Sequence, residues 1–248
     1  MRPAACILTL SLVAVISLGA DDSKRHSGDR DRRAFHLVEA TIPQIQQALR
    51  DKRVTSRQLV SMYMARIHAY EGTVNAFITV NPDALQEAWW RDIERRFGFI
   101  RGPLHGIPIV LKDNIHTTDM KTTGGALAFT DLDPPYEATL VRKLRHAGAI
   151  ILGKTVLTEL ANWVAGAPTP MPGNYSAVGG FGMNPYDPRE DPRAGFDDGR
   201  PVMATGGSSS GIATAANLAV ANIGTETSGS ILSPSNQNML PASSRPSA

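Results

Sequence analysis

A chain of 248 residues that is 42% hydrophobic and 19% charged carries enough apolar side chains for one or two domains with a sizeable core, and disorder is not its default. The formal net charge of +2 spreads no broad basic field. That argues against nucleic acid as a partner and gives no sign of attraction to an acidic membrane surface.

Met1 and Arg2 precede a mostly apolar run over residues 4–18, after which the chain turns polar at Asp21, Asp22 and Lys24. This is the outline of a secretory signal peptide over residues 1–20, and it predicts a secreted or periplasmic protein. The run is short for a membrane span, so no stable membrane association is expected unless the signal stays uncleaved. Cys6, the single cysteine, lies inside it, and a mature chain would hold no thiol, disulfide or thiolate metal site. Residues 21–34 mix Lys24, Arg25, Arg30, Arg32 and Arg33 with Asp and Ser and read as a polar leader.

From residue 35 the pattern becomes that of a folded domain extending to residue 240. Ile42, Ile45 and Leu49 recur at helical spacing behind Pro43, which sits in a first turn where its missing N–H costs little. Thr55 and Gln58 have capping-box spacing and open a second helix lined by Leu59, Met62, Tyr63, Ile67 and Tyr70. Asn81 and Pro82 start a third, whose inward face is predicted to be Leu85, Trp89 and Ile93, with Trp89 and Trp90 as packing residues.

The run Ile107-Pro108-Ile109-Val110-Leu111 reads as a buried strand with Pro108 near its beginning or at an edge. It ends in Lys112, Asp113 and Asn114, the place where open α/β sheets put functional groups. On the strand alone, Lys112 reads rather as a solvated strand end. A helix over residues 139–147, with Leu140, Val141 and Leu144 inward, feeds a strand over 149–152. Gly148 to Thr155 matches the phosphate-loop pattern letter for letter, but that loop must follow a strand, whereas here the apolar residues are the strand and a helix precedes them. Nucleotide binding is therefore set aside. Residues 165–205 are rich in Pro and Gly and predict a long irregular excursion bordering the site.

Two glycine-hydroxyl clusters follow, Gly206-Gly207-Ser208-Ser209-Ser210-Gly211 and Gly224-Thr225-Glu226-Thr227-Ser228-Gly229-Ser230, joined by an apolar, helix-like run. Glycines beside serines let hydroxyls and backbone N–H groups converge on one point. Together with HGIPIVLKDN (residues 105–114) and NYSAVGGFGMNPYDP (174–188), these segments resemble the amidase signature family of amide hydrolases.

The resemblance implies an α/β fold, a mixed sheet flanked by helices, incomplete at the carboxyl end of this chain. It makes Ser230 the nucleophile, Ser208 a bridging serine and Lys112 the general base, with the backbone N–H groups of Thr227, Ser228, Gly229 and Ser230 as the oxyanion hole. The two serines stand slightly closer than is usual in the family, which leaves the choice between Ser208 and Ser209 open. The implied substrate is a small-molecule amide, with no cofactor and no metal, and the signal peptide speaks against the tRNA-amidating branch. Oligomeric state is not implied.

Family members continue well beyond residue 248. Pro241 to Ala248 can be encoded so that a shifted frame reads Gly-Ile-Lys-Pro-Thr-Val-Gly, as the family does here, which predicts an aberrant tail over 241–248 from a frameshift after Leu240; a genuine polar tail is the alternative. Two rival functions follow: a non-catalytic amidase remnant, and a Ser-His-Asp hydrolase drawing on His105, His116 or His146. No G-x-S-x-G elbow surrounds Ser230, which disfavours the second.

Overall fold

A computed structural model describes residues 35–163, 173–206 and 211–243. The expected signal peptide and leader, Ser208, Ser209 and the last five residues of the tail lie outside the described residues.

Helix α1 spans Ile42–Arg50 and α2 spans Ser56–Val74, each opened by a complete capping box, Thr41 with Gln44 and Thr55 with Gln58. Each box satisfies two N–H groups that the first turn leaves without helical partners. Leu59, Tyr63 and Ile67 of α2 are buried as their spacing predicts, and so is Val60, while Met62 is half-buried and Tyr70 is exposed. Asn75 ends α2 in the left-handed conformation, and its Nδ2 donates to the carbonyls of Gly179 and Phe181 at 2.6 and 2.8 Å. The helix is thereby tied to a small hairpin, β4 (Tyr175–Ser176) and β5 (Gly180–Phe181), within the Pro/Gly-rich excursion.

Helix α3, Ala84–Arg96, corrects the sequence reading. Its buried residues are Ala84 and Ala88, while Leu85, Trp89 and Trp90 are exposed. The helix packs on α2 and on the strand Ile150–Thr155, and close helix approach selects the two alanines over the larger side chains. Its Asp92 carboxylate accepts from the backbone N–H groups of Ser56 and Arg57 at 2.7 and 2.9 Å, fixing α3 across the open end of α2.

The main sheet has the order β1-β3-β2-β6. β2 (Pro108–Lys112) and β3 (Ile150–Thr155) are buried along their whole length and run parallel, as strands covered on both faces do. Pro108 is the first residue of its strand. β1 (Phe77–Val80) lies antiparallel against the far side of β3, and β6 (Asn222–Ile223) runs parallel to β2 on its other side. The sheet is thus mixed and flanked by helices, as expected.

β3 continues beyond Leu152 through Gly153, Lys154 and Thr155, so the triplet that mimics a phosphate loop is itself sheet. A β-carbon at Gly153 would stand 2.3 Å from the Thr79 carbonyl oxygen, so glycine is what lets β1 close on β3. After β2 and before β3, α4 (Thr139–His146) buries Val141 but leaves Leu140 exposed, against its assignment as inward. The apolar run after Gly211 is not one helix. It forms the short α5 (Ile212–Ala215) and then turns into β6, after which α6 (Leu232–Gln237) follows the second glycine-serine cluster. Among the described residues no helix is long and apolar enough to cross a membrane.

Candidate active site

The carboxyl ends of β2, β3 and β6 lie side by side, in register at Lys112 with Thr155 and at Leu111 with Lys154 and Ile223. Each of the three strands delivers chemistry at this end.

Lys112 closes β2, and its side chain is fully buried. Burial disfavours the ammonium form and attraction to Glu226 partly offsets that, leaving the pKa lowered to about 8. Its Nζ donates to the carbonyl of Thr225 at 3.2 Å, just past β6. The Thr225 hydroxyl is in turn held by the Asn114 side chain, with Nδ2 donating at 2.9 Å. Lys112 and Asn114 thus grip the same residue of the second cluster.

Glu226, the next residue, folds its carboxylate onto the turn that carries Ser230. Oε1 accepts from the N–H of Gly229 at 2.9 Å, and Oε2 accepts from those of Ile231 and Leu232 at 3.0 and 3.2 Å. The Gly229 N–H, one of the four expected oxyanion donors, is directed at Glu226. Thr227 and Ser228 are exposed, while Ser230 is buried.

The two glycine-serine clusters meet through α6. Gly206 has φ +85°, and a β-carbon there would lie 2.2 Å from Cα of Pro234 in α6; one on Gly211 would lie 3.0 Å from the Pro234 carbonyl oxygen. Only glycine lets the first cluster enter this close to the helix. Asn238 Nδ2 donates to Thr205 O at 2.8 Å, and Asn184 Nδ2 donates to Ala204 O at 2.8 Å and to Gln237 O at 3.2 Å, so the approach to the first cluster is stitched to α6 as well.

A second buried lysine stands one strand away. Lys154 Nζ donates to Ile115 O at 2.7 Å, Thr122 Oγ1 at 2.9 Å and Lys121 O at 3.3 Å, and it lies 3.7 Å from the Asp113 carboxylate. Asp113 Oδ2 also accepts from the N–H and the hydroxyl of Thr123. Burial raises the Asp113 pKa and lowers that of Lys154, each opposed by the other's charge. This network braces the loop that leaves β2; the sequence reading placed Asp113 at that strand end without a role and singled out neither Glu226 nor Lys154 as a site residue.

His105 occupies the opposite end of β2. Its ring is fully buried, with Nε2 2.9 Å from Arg91 O and Nδ1 accepting from the Arg101 N–H at 3.3 Å. Burial lowers its pKa. The strand between them, Pro108–Lys112, alone spans roughly 13 Å at ~3.3 Å per residue. A cavity of about 300 Å³ lined by residues including Asn222, Gly224, Ile231, Pro234 and Ser235 opens beside β6, but its walls include neither Lys112 nor Ser230.

The chain is similar to known proteins. A probable amidase of Arabidopsis thaliana is 39% identical over 239 residues, covering 94% of this chain and 43% of the relative. A glutamyl-tRNA(Gln) amidotransferase subunit from Syntrophus aciditrophicus is 38% identical over 203 residues, covering 81% of this chain and 37% of the relative. Among solved structures, the peptide amidase of Stenotrophomonas maltophilia superposes with a TM-score of 0.67 at 43% identity, over 79% of this chain and 38% of the other. An amidase family protein of Bacillus anthracis gives 0.72 at 32% identity, over 90% and 41%. The chain therefore spans about two fifths of the length of these relatives. The family model described as Amidase matches residues 58–241; by that match and by its fold, the chain belongs to the amidase signature family.

Proposed function

We propose that the site hydrolyses a carboxamide through an acyl-enzyme on Ser230, with Lys112 as general base. The observation that carries this reading is Lys112 itself. A lysine fully buried at the end of a central strand, with its pKa lowered to about 8, is neutral in roughly one molecule in ten at pH 7, far more often than an ordinary lysine, and a lysine base must be neutral to act. Ser208, outside the described residues, takes the bridging role by its place in the first cluster, whose flanks pack on the helix that follows Ser230.

In the first half-reaction Ser230 Oγ gives its proton to the bridging hydroxyl as that hydroxyl gives its own to the neutral Lys112 amine. Oγ bonds to the amide carbon, and the carbonyl oxygen becomes an oxyanion facing the N–H groups of Thr227, Ser228 and Ser230. Collapse breaks the C–N bond while the relay returns the proton to the departing nitrogen, releasing ammonia or an amine. Water then attacks the ester along the same relay, releasing the carboxylic acid and restoring Ser230. Likeness to the Stenotrophomonas peptide amidase supports a carboxamide on a peptide-like molecule as the substrate class. The distance between His105 and the far end of β2 weighs against a histidine base.

Treating the 248-residue protein with a fluorophosphonate probe and locating the label by mass spectrometry tests the reading. Label is expected on Ser230, lost in Ser230→Ala and slowed about 10²–10⁴-fold in Lys112→Ala, the usual worth of a general base. Undiminished labelling of Lys112→Ala would return the role of base to a histidine; no labelling of a cooperatively folded wild type would favour the non-catalytic remnant.

A further inference from the structure

We infer that Glu226 is a positioning residue of this site, holding the Ser230 turn in place with its carboxylate and serving as counter-charge to Lys112. The inference rests on the reading of Lys112 as base and Ser230 as nucleophile, and adds a residue that reading does not use.

Geometry carries it. The three N–H groups that Glu226 accepts belong to Gly229, Ile231 and Leu232, which straddle the nucleophile, so one carboxylate fixes the backbone on both sides of Ser230. The residue before it, Thr225, is gripped by Lys112 through its carbonyl and by Asn114 through its hydroxyl. Base and nucleophile are therefore joined through two consecutive residues, Thr225 on the side of the base and Glu226 on the side of the serine. A shift of the second cluster moves both together. Pre-set geometry of this kind matters because a misplacement of about 1 Å costs on the order of 10²-fold in rate.

Charge completes the picture. The other ionisable groups at this end of the sheet, Asp113 from the end of β2 and Lys154 from β3, face each other in their own pair. The negative charge that Lys112 feels is that of Glu226, and it opposes the effect of burial. Removing it takes away an attraction that favours the ammonium, so Lys112 would lose its proton at lower pH.

Two readouts decide. The first needs no catalysis: pulse acetylation of Lys112 with acetic anhydride across pH, read by peptide mass spectrometry, gives the midpoint of the neutral amine. In Glu226→Gln that midpoint is expected to fall by about half a unit or more. The second is the rate of fluorophosphonate labelling of Ser230, expected to fall by at least about tenfold in Glu226→Ala. The proposal is overturned if the Lys112 midpoint of Glu226→Gln matches wild type, or if Glu226→Ala labels Ser230 at the wild-type rate. Should wild type itself leave Ser230 unlabelled, the hydrolase reading falls and the Lys112 midpoint alone decides on Glu226. Should Glu226→Ala not fold, the labelling rate of Glu226→Gln takes its place.

Discussion

The two flanks of β2 hold the same ingredients to different ends. On the β3 side a buried lysine, Lys154, faces a buried carboxylate, Asp113, and donates to two carbonyls and a hydroxyl. On the β6 side a buried lysine, Lys112, has its nearby carboxylate, Glu226, folded onto three backbone N–H groups. What separates them is where the carboxylate's lone pairs are used. Directed at the neighbouring loop and the ammonium, they make a brace; directed at a turn, they leave the lysine with attraction from a distance, enough to temper its desolvation without removing its ability to give up a proton.

The contrast is broken most directly on the β3 side. Lys154→Met strands the Asp113 charge in the interior and is expected to cost about 3–5 kcal/mol, whereas adding Asp113→Leu should recover most of that loss. Urea unfolding measures both, and a single variant costing under about 1 kcal/mol would remove the distinction between brace and base.

The next largest effect is in pH. The folded-state pKa of Lys112 lies below its ordinary value, so between about pH 8 and the normal lysine range the unfolded chain binds the extra proton and stability rises with pH. The penalty is fully present below about pH 8, where both states are protonated, and on the order of 3 kcal/mol is regained across the window. Lys154, shifted in the same direction, adds its own rise. The difference in urea stability between wild type and Lys112→Met should therefore change across that window, and a parallel pair of pH curves would mean that Lys112 titrates as an ordinary lysine.

A matched pair of smaller substitutions sharpens the comparison. Thr122→Val removes an acceptor from the Lys154 ammonium and should cost about 1.5–3 kcal/mol, as bonds to charged groups do. Asn114→Ala removes the neutral bond to Thr225 and should cost only about 1 kcal/mol while slowing Ser230 labelling. Equal losses of stability, or unchanged labelling in Asn114→Ala, would contradict the division of labour.

The sequence disclosed the parts of this arrangement whose signal is local. Lys112 stood out because an apolar run ended on a charge, and both glycine-serine clusters stood out by composition. β1 did not, because four residues between two helices, Phe77–Val80, carry too little periodicity to be distinguished from a linker. The tryptophans misled for another reason: burial on α3 goes to Ala84 and Ala88, and how close a neighbouring helix will come is not written in the helix's own pattern. Glu226 was hidden inside a motif in which it looked like one more polar residue. An acidic residue just ahead of a short helix is the signal that could have found it, since helix starts leave N–H groups open. The Asp113 and Lys154 pair depends on a strand pairing that only the fold supplies.

The hydrogen bond from Lys112 to Thr225 also has a bearing on how the chain is made. Its partners are 113 positions apart. At 5–20 residues per second, a ribosome would need roughly 6–23 s after completing Lys112 before Thr225 emerged. For that interval the β2 edge that later receives β6 is unpaired, an apolar template open to strands of neighbouring chains. A charged residue at the end of the strand helps guard that edge. The side chain assigned here to proton transfer would thus, earlier in the molecule's life, help keep nascent chains apart.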